Sequence, residues 1–450
     1  MNNKLINIFL FLLFIFLQGC SFDKATGLWD GYKDEEKKAR EIQRKQKESI
    51  EIIKVYEADK PYAKEISADK GIILSTPKKT SKWLMSGNNL QNSLDHYIIN
   101  GISNNFIKKK VGKNKFSLIK SKTSPLYINN NLVISDNNGS IFLVGINGKI
   151  LWKQNIYKKV YKNLYKTISL SIDGNIIYAA DNIGFVYSID INNGSLLWIK
   201  NYNVPIKSEI KVYKGKIFII NQDNRIFCIN TKDGSKIWDI RSVSSFIKSQ
   251  SLLSLAISKD DSLIVLNSYG DLMKIQADKG KVFWSTNTTS TMFAHDTDFF
   301  QSSSILINKN NIIFSTLTST FSYNLENGYL NWEIPIGSSN LPIIDNDNVF
   351  VLTDNGYLVN LQKNSGEIIF SKNILKVLKE KKRSTKIQGF VLASNKIYAV
   401  SLNGFIIVSS AITGKPEYFK KIGDPVSAPP IISDGSLFVL TSNSKLLGFN

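Results

Sequence analysis

From about residue 125 to its end, the chain is a succession of short apolar runs that alternate with polar positions and stop at Gly, Asn or Asp. Alternation with a period of two marks half-buried strands, and the polar clusters between them mark turns. Residues 175–202, NIIYAADNIGFVYSIDINNGSLLWIKNY, show the unit. Residues 176–180 form one β-rich run, and Asp181-Asn182-Ile183-Gly184 is a turn. Residues 185–190 alternate as a second strand. Asn192-Asn193-Gly194 is a hairpin turn whose glycine can adopt positive φ. Residues 196–200 form a third strand carrying Trp198, and a further strand precedes the unit near 166–172. Four short strands per repeat make one propeller blade.

The unit recurs. A glycine followed four residues later by an aromatic occurs as Gly148/Trp152, Gly194/Trp198, Gly234/Trp238, Gly280/Trp284, Gly328/Trp332, Gly366/Phe370 and Gly414/Tyr418. The glycines are spaced by 46, 40, 46, 48, 38 and 48 residues, the period of a propeller or solenoid. Trp152, Trp198, Trp238, Trp284 and Trp332 share this slot, where a flat ring can fill the wedge between neighbouring blades. Four residues before the glycine stands Asp190, Asn230, Gln276, Asn324 or Gln362, placed to bond the turn N–H groups. Six before it is a small or variable residue. Cys228 falls there and reads as a buried apolar residue. Seven units carry the pair, and residues 427–449 begin another that stops before its last strand. Residues 71–86, with Trp83, are expected to supply that strand. The expected fold is all-β: an eight-bladed β-propeller closed by an N-terminal strand, which leaves no open sheet edge.

The first 70 residues differ. Lys4 precedes an apolar stretch, 5–17, interrupted only by Asn7, which is too short to span a bilayer comfortably. Residues 34–64 are dense in charge of both signs and carry little strand pattern, as expected of a tether that is part helix and part coil. The expected organisation is a signal peptide over 1–19, a tether over 20–70 and a propeller over 71–450. The net charge of +20 lies mainly in the repeats. Two causes fit: coding bias in a Lys-, Asn- and Ile-rich chain, or attraction to anionic head groups or acidic partners. No basic patch interleaved with aromatics stands out, so nucleic acid is not an expected partner. Two cysteines give no disulfide framework and no CxxC pair. The two histidines, His96 and His295, exclude a His-rich metal site and are the only places for a catalytic imidazole.

Leu17-Gln18-Gly19-Cys20 resembles the lipobox of bacterial lipoproteins, which implies cleavage before Cys20, acylation of that thiol, and attachment to a membrane. Ser21 after the cysteine favours the outer membrane by the sorting rule of some lipoproteins. The repeat itself, small residue-x-Asp-x-x-x-Gly-x-x-x-Trp over 131–419, resembles the quinoprotein-like (PQQ-type) propeller repeat. With the lipobox, the charged tether and Trp83-Leu84-Met85-Ser86-Gly87-Asn88-Asn89 opening the propeller, the chain looks like the BamB-like outer-membrane assembly lipoproteins. That resemblance implies a non-catalytic scaffold without cofactor, on the periplasmic face of the outer membrane. It would act as a monomer within a multiprotein complex, binding a BamA-like barrel protein through that partner's periplasmic domains. It also implies two partner-binding inter-blade loops. One would carry Ile247 and Lys248, where Lys replaces the family's Arg and gives up its planar fork. The other would carry Asp296 and Asp298, whose charges would orient the partner.

Two other functions share the fold, since fold alone does not fix function. A quinone-dependent dehydrogenase needs a cofactor in the axial channel, Ca²⁺ held by carboxylate and amide oxygens, and an Asp base. Members of that class commonly show adjacent cysteines, which are missing here. An envelope protein binding cell-wall glycans is the third reading. His295 with Asp296 and Asp298 does not complete a metal site. The basic stretch Lys376, Lys379, Lys381, Lys382, Arg383 and Lys386 reads as a solvated loop or short helix, or as a contact for anionic head groups.

Overall fold

The computed structural model describes residues 61–68, 71–114, 123–242, 253–289 and 300–450, plus the strands Phe22–Asp23 and Leu28–Trp29. Those two strands pair antiparallel within the unit that ends at Lys60. The expected leader and the rest of the tether lie outside the described residues.

Residues 61–450 build eight antiparallel four-stranded sheets. Blades 1 to 7 are consecutive, at 126–155, 168–201, 211–241, 254–287, 306–334, 343–373 and 387–421. Blade 8 takes three strands from 431–449 and its fourth from upstream, where Asn105–Lys110 pairs antiparallel with Lys445–Phe449. The first strand of each blade is innermost and the last outermost. Burial follows: second strands such as Lys216–Ile220 and third strands such as Arg225–Asn230 are almost wholly buried. Outer strands such as Leu196–Asn201 are mostly exposed.

Residues 71–86 therefore do not supply the closing strand; Asn105–Lys110 does. Along the chain, each blade's outer strand is followed by the inner strand of the next blade. The segment just upstream of blade 1 is the one whose chain path matches that step. Residues 71–86 contain Pro77, which has no N–H to donate to a ladder, and lead into positive φ at Gly87 and Asn88.

The recurring glycine and aromatic meet across blade boundaries. A Cβ on Gly194 would lie 2.7 Å from the Trp152 ring, on Gly234 2.6 Å from Trp198, and on Gly328 2.7 Å from Trp284. These glycines also sit at positive φ, +73° at Gly194, so the turn needs glycine for both backbone and space. Each indole N–H then donates to the next blade. Trp152 reaches the Ile191 carbonyl at 2.7 Å, Trp198 Thr231 at 2.8 Å and Trp238 Ala277 at 3.2 Å. Trp284 reaches Leu325 at 3.1 Å and Trp332 Lys363 at 2.8 Å. A register shift follows each aromatic: Ser188 faces Trp198, but Ile189 faces Leu196. The same bulge occurs beside Trp238, Trp284 and Trp332. It turns the outer strand so that the ring aims at the neighbouring blade. The polar residue four before the glycine caps the turn, as Asp190 Oδ1 accepts from Asn192 N at 2.7 Å and Asn230 Oδ1 from Lys232 N at 2.9 Å. Cys228 faces Trp238, fully buried, and burial pushes its thiol up to about 12.

Residues 61–66 lie along the outer strand of blade 6. Ile66 and Ser371 exchange backbone hydrogen bonds at 3.0 and 3.1 Å, and Tyr62 packs edge-on against Tyr357. This covers one sheet edge.

Trp198→Ala should lower the unfolding free energy by about 3–5 kcal/mol, as large core truncations do. Gly234→Ala should cost about 1 kcal/mol or more through positive φ, the Trp198 ring and the Lys200 stem, which a Cβ would meet at 2.8 Å. Urea midpoints at constant slope measure both, and an unchanged midpoint for either would remove the inter-blade contact as a source of stability.

Candidate partner-binding face

Strand direction alternates along each blade. The turns from inner to second strand and from third to outer strand therefore share one end of the propeller. The turns from second to third strand and the connections between blades share the other. The two loops expected to bind a partner, 243–252 between blades 3 and 4 and 290–299 between blades 4 and 5, have their described roots at this second end. Ile247, Lys248, Asp296 and Asp298 lie outside the described residues, as do Cys20 and His295. Their roots are described. The first loop leaves after Ser242 and returns at Leu253, whose N–H donates to Lys207 O at 2.6 Å. The second leaves after Thr289, held by Asn287, and returns at Phe300.

Between the roots, neighbouring turns interlock. Asn224, at φ +59°, accepts from the N–H and hydroxyl of Ser268 at 3.1 and 2.9 Å. Asn267 donates to Ser242 at 2.8 Å and to Asp271 at 2.9 Å, while its oxygen accepts from Tyr269 N and Asp271 N. Short amide side chains thus fix the platform from which both loops spring. Tyr269 and Leu317 project from this end, about half exposed.

The axis of the propeller is filled at the opposite end by residues 83–92. Trp83 exchanges backbone bonds with Tyr127 of blade 1 at 2.8 Å, and Leu84 O accepts from Ile172 N of blade 2 at 2.7 Å. Lys211 of blade 3 donates to Ser86 O, Asn89 O and Asn92 Oδ1 at 2.8, 3.0 and 2.5 Å. Leu90 and Gln91 accept from Ile257 N of blade 4 and Ile307 N of blade 5. Asn92, fully buried at φ +54°, donates to Leu255 O and Ile305 O. Flanking residues reach the remaining blades: Ser75 to Asp345, Tyr97 to Leu392, and Asn100 to Gly435. Glu209 crosses the axis, accepting from Ser86 and from Ser304 near blade 5 at 2.7 Å each.

Sequence reasoning missed Asn92, Glu209 and Lys211. For Glu209 and Lys211 the signal was a polar side chain in the inner-strand run of blade 3, where other blades carry Ala256, Leu306 or Ile343 in place of Lys211; Asn92, in the segment 83–92, carried none. His96 is structural. Its Nδ1 lies 2.7 Å from Ser75 O and its Nε2 accepts from Asn395 N at 2.9 Å, which fixes the tautomer.

A quinone cofactor would need the axis. At this end residues 83–92, Glu209 and Lys211 occupy it, and they do not fit such a group. Among the described residues no three His, Cys, Asp or Glu converge as a metal site. A cavity of about 760 Å³ lies at the same end, lined by Lys214, Lys216, Lys274, Asp260, Asp278 and Glu326 among others. Its charges are matched: Lys216 pairs with Asp278 at 2.6 Å, and Lys274 with Asp260 and Glu326 at 2.9 and 3.2 Å. In the basic stretch, Lys376 pairs with Glu65 at 2.7 Å and Glu380–Arg383 forms one helical turn.

The family model described as outer membrane protein assembly factor BamB matches residues 120–372. A curated relative, outer membrane protein assembly factor BamB of Moranella endobia, is 22% identical over 200 residues, 43% of this chain. The matched part spans about half of that relative's length, 49%. Two solved structures share the fold. BamB from Moraxella catarrhalis aligns with a TM-score of 0.62 at 10% identity, over 76% of this chain and 100% of its own. Quinohemoprotein alcohol dehydrogenase from Comamonas testosteroni aligns at 0.64 and 11% identity, over 82% of this chain and 80% of its own.

Burial pulls the Lys211 ammonium down from its ordinary 10.5 to about 8, partly offset by Glu209. Between those values the unfolded chain binds more protons than the folded one. This group's contribution to stability is therefore lost as pH falls through about 8 and fully present above 10.5. Unfolding free energies measured across this window should rise more steeply with pH for the parent than for Lys211→Met. Parallel curves would refute a depressed Lys211.

Proposed function

Because the chain belongs to the family of the outer membrane protein assembly factor BamB, we propose that it is a non-catalytic scaffold lipoprotein that assists insertion of outer-membrane barrel proteins. Acylated Cys20 would hold it on the periplasmic face of the outer membrane. Its partner would be a BamA-like barrel protein with periplasmic domains, engaged by Ile247 and Lys248 on one loop and Asp296 and Asp298 on the next. The observation that carries this reading is the family match over 120–372. The fold adds support, because it brings the roots of both loops to one end of adjacent blades with an interlocked platform between them. An acidic loop beside a basic one suits a partner of complementary charge, giving orientation and on-rate more than affinity.

The dehydrogenase among the structural neighbours favours a second reading, an enzyme using a quinone and Ca²⁺. Incubation with both, followed by absorbance and metal analysis of the repurified protein, separates the two. Stoichiometric uptake would replace the scaffold.

Pulldown of the lipidated chain in mild detergent should recover a large outer-membrane barrel protein with periplasmic repeats. Combining Lys248→Glu with Asp296→Lys and Asp298→Lys should weaken that capture about tenfold or more while leaving the unfolding midpoint unchanged. Undiminished capture rejects these loops as the interface. Recovery of wall fragments without such a barrel rejects the assembly role.

A further inference from the structure

Blade 1 is joined to blade 2 by residues 156–167, on the same end as the roots of the loops proposed to bind a partner. The run Tyr157-Lys158-Lys159-Val160-Tyr161-Lys162-Asn163-Leu164-Tyr165-Lys166 interleaves lysines with aromatic and aliphatic residues. This corrects the expectation that no basic patch of that kind stands out. The fold sorts its side chains into two sets. One set is an anchor. Tyr157, Tyr161 and Phe185 pack edge-to-face with centroids 5.6–6.4 Å apart. The Tyr157 hydroxyl donates to Asp181, and buried Lys166 lies 5.0 Å over the Tyr157 ring. Backbone bonds close a short turn, from Tyr161 N, Lys162 N and Leu164 N to carbonyls three residues back.

The other set points to solvent. Val160 is 77% exposed, Leu164 51% and Tyr165 43%. Lys158, Lys159 and Lys162 are exposed around them, and no ion pair neutralises these three among the described residues. The sequence holds no Asp or Glu from 137 to 172.

We infer that this knob docks on a bilayer surface rich in anionic phospholipid. Val160, Leu164 and the Tyr165 ring would enter the interfacial layer, while the three ammonium groups bind lipid phosphates. Lysine stems can lie along apolar surface while their heads stay at phosphate level. Uncompensated charge beside protruding apolar side chains is the pattern that anionic membranes attract. Two of the three tyrosines are turned inward, so the knob lacks the row of exposed rings on which nucleic-acid bases stack. The inference uses neither the loops at 243–252 and 290–299 nor the Cys20 anchor.

The test is amide hydrogen exchange on the full lipidated chain, bound to vesicles containing phosphatidylglycerol or to pure phosphatidylcholine vesicles. The amides of Tyr161, Lys162 and Leu164 should exchange about tenfold more slowly on the anionic vesicles. High salt should remove the difference, as should the combined variant Lys158→Glu, Lys159→Glu and Lys162→Glu. Sedimentation with phosphatidylcholine vesicles reports the anchor separately. Unchanged core exchange shows that the variant is folded. Equal rates on both vesicles, or protection that survives charge reversal, overturns the inference. So does slowing that requires added envelope protein, which would make the knob a protein interface.

Discussion

An indole lying on the next blade's glycine is the contact on which this structure depends. A radial sheet buries both faces only against neighbours, so no blade is stable alone and each boundary must be filled. Trp152, Trp198, Trp238, Trp284 and Trp332 fill five of these boundaries, each adding a hydrogen bond across the gap. Phe370 packs on Gly414 in the same way, without a donor. Three local devices cooperate at each site. The glycine opens space at positive φ, the bulge aims the ring, and the polar residue four positions earlier caps the turn. Removing the glycine's freedom or the ring's bulk therefore affects the same wedge from opposite sides.

The N-terminal segment adds a second constraint, at right angles to the first. Residues 83–92 visit the inner strands of blades 1 to 5 in order, and residues 75–100 reach the other three. The ring is thus tied along its axis as well as around its circumference. Glu209, Lys211 and Asn92 join Ser86 and Ser304 in a buried polar network there. One Glu209 oxygen stays buried without a partner, and such polar groups are expensive unless satisfied. At one end the axis is filled by the chain's own residues 83–92, and the other end carries the described roots of the connections between blades.

The repeat, the blade count and the slot residues were legible because each is local. Alternation, the Asn-Asn-Gly turn and the glycine-to-tryptophan spacing all act within a few residues, so the sequence carries them directly. The buried Cys228 could be read for the same reason, from its place in the slot. The anchored knob at 157–166 was not legible as a surface. Its tyrosines and lysines look alike in sequence, and only packing against Phe185 and Asp181 of the next blade decides which turn inward.

What the sequence determined alone is that the chain makes blades and needs a strand from its own N-terminal part to close them. Which strand, and what the remaining N-terminal residues do, was decided by tertiary structure. Residues 71–86 carried the strand pattern, yet Asn105–Lys110 is the segment that pairs. In the ring, blade 8 pairs its third strand with Asn105–Lys110 just upstream of blade 1, while the inner strands bond residues 83–92. Edge pairing uses backbone groups that every residue but proline possesses, so the choice rests on where the edges lie in space, which no stretch of sequence records by itself.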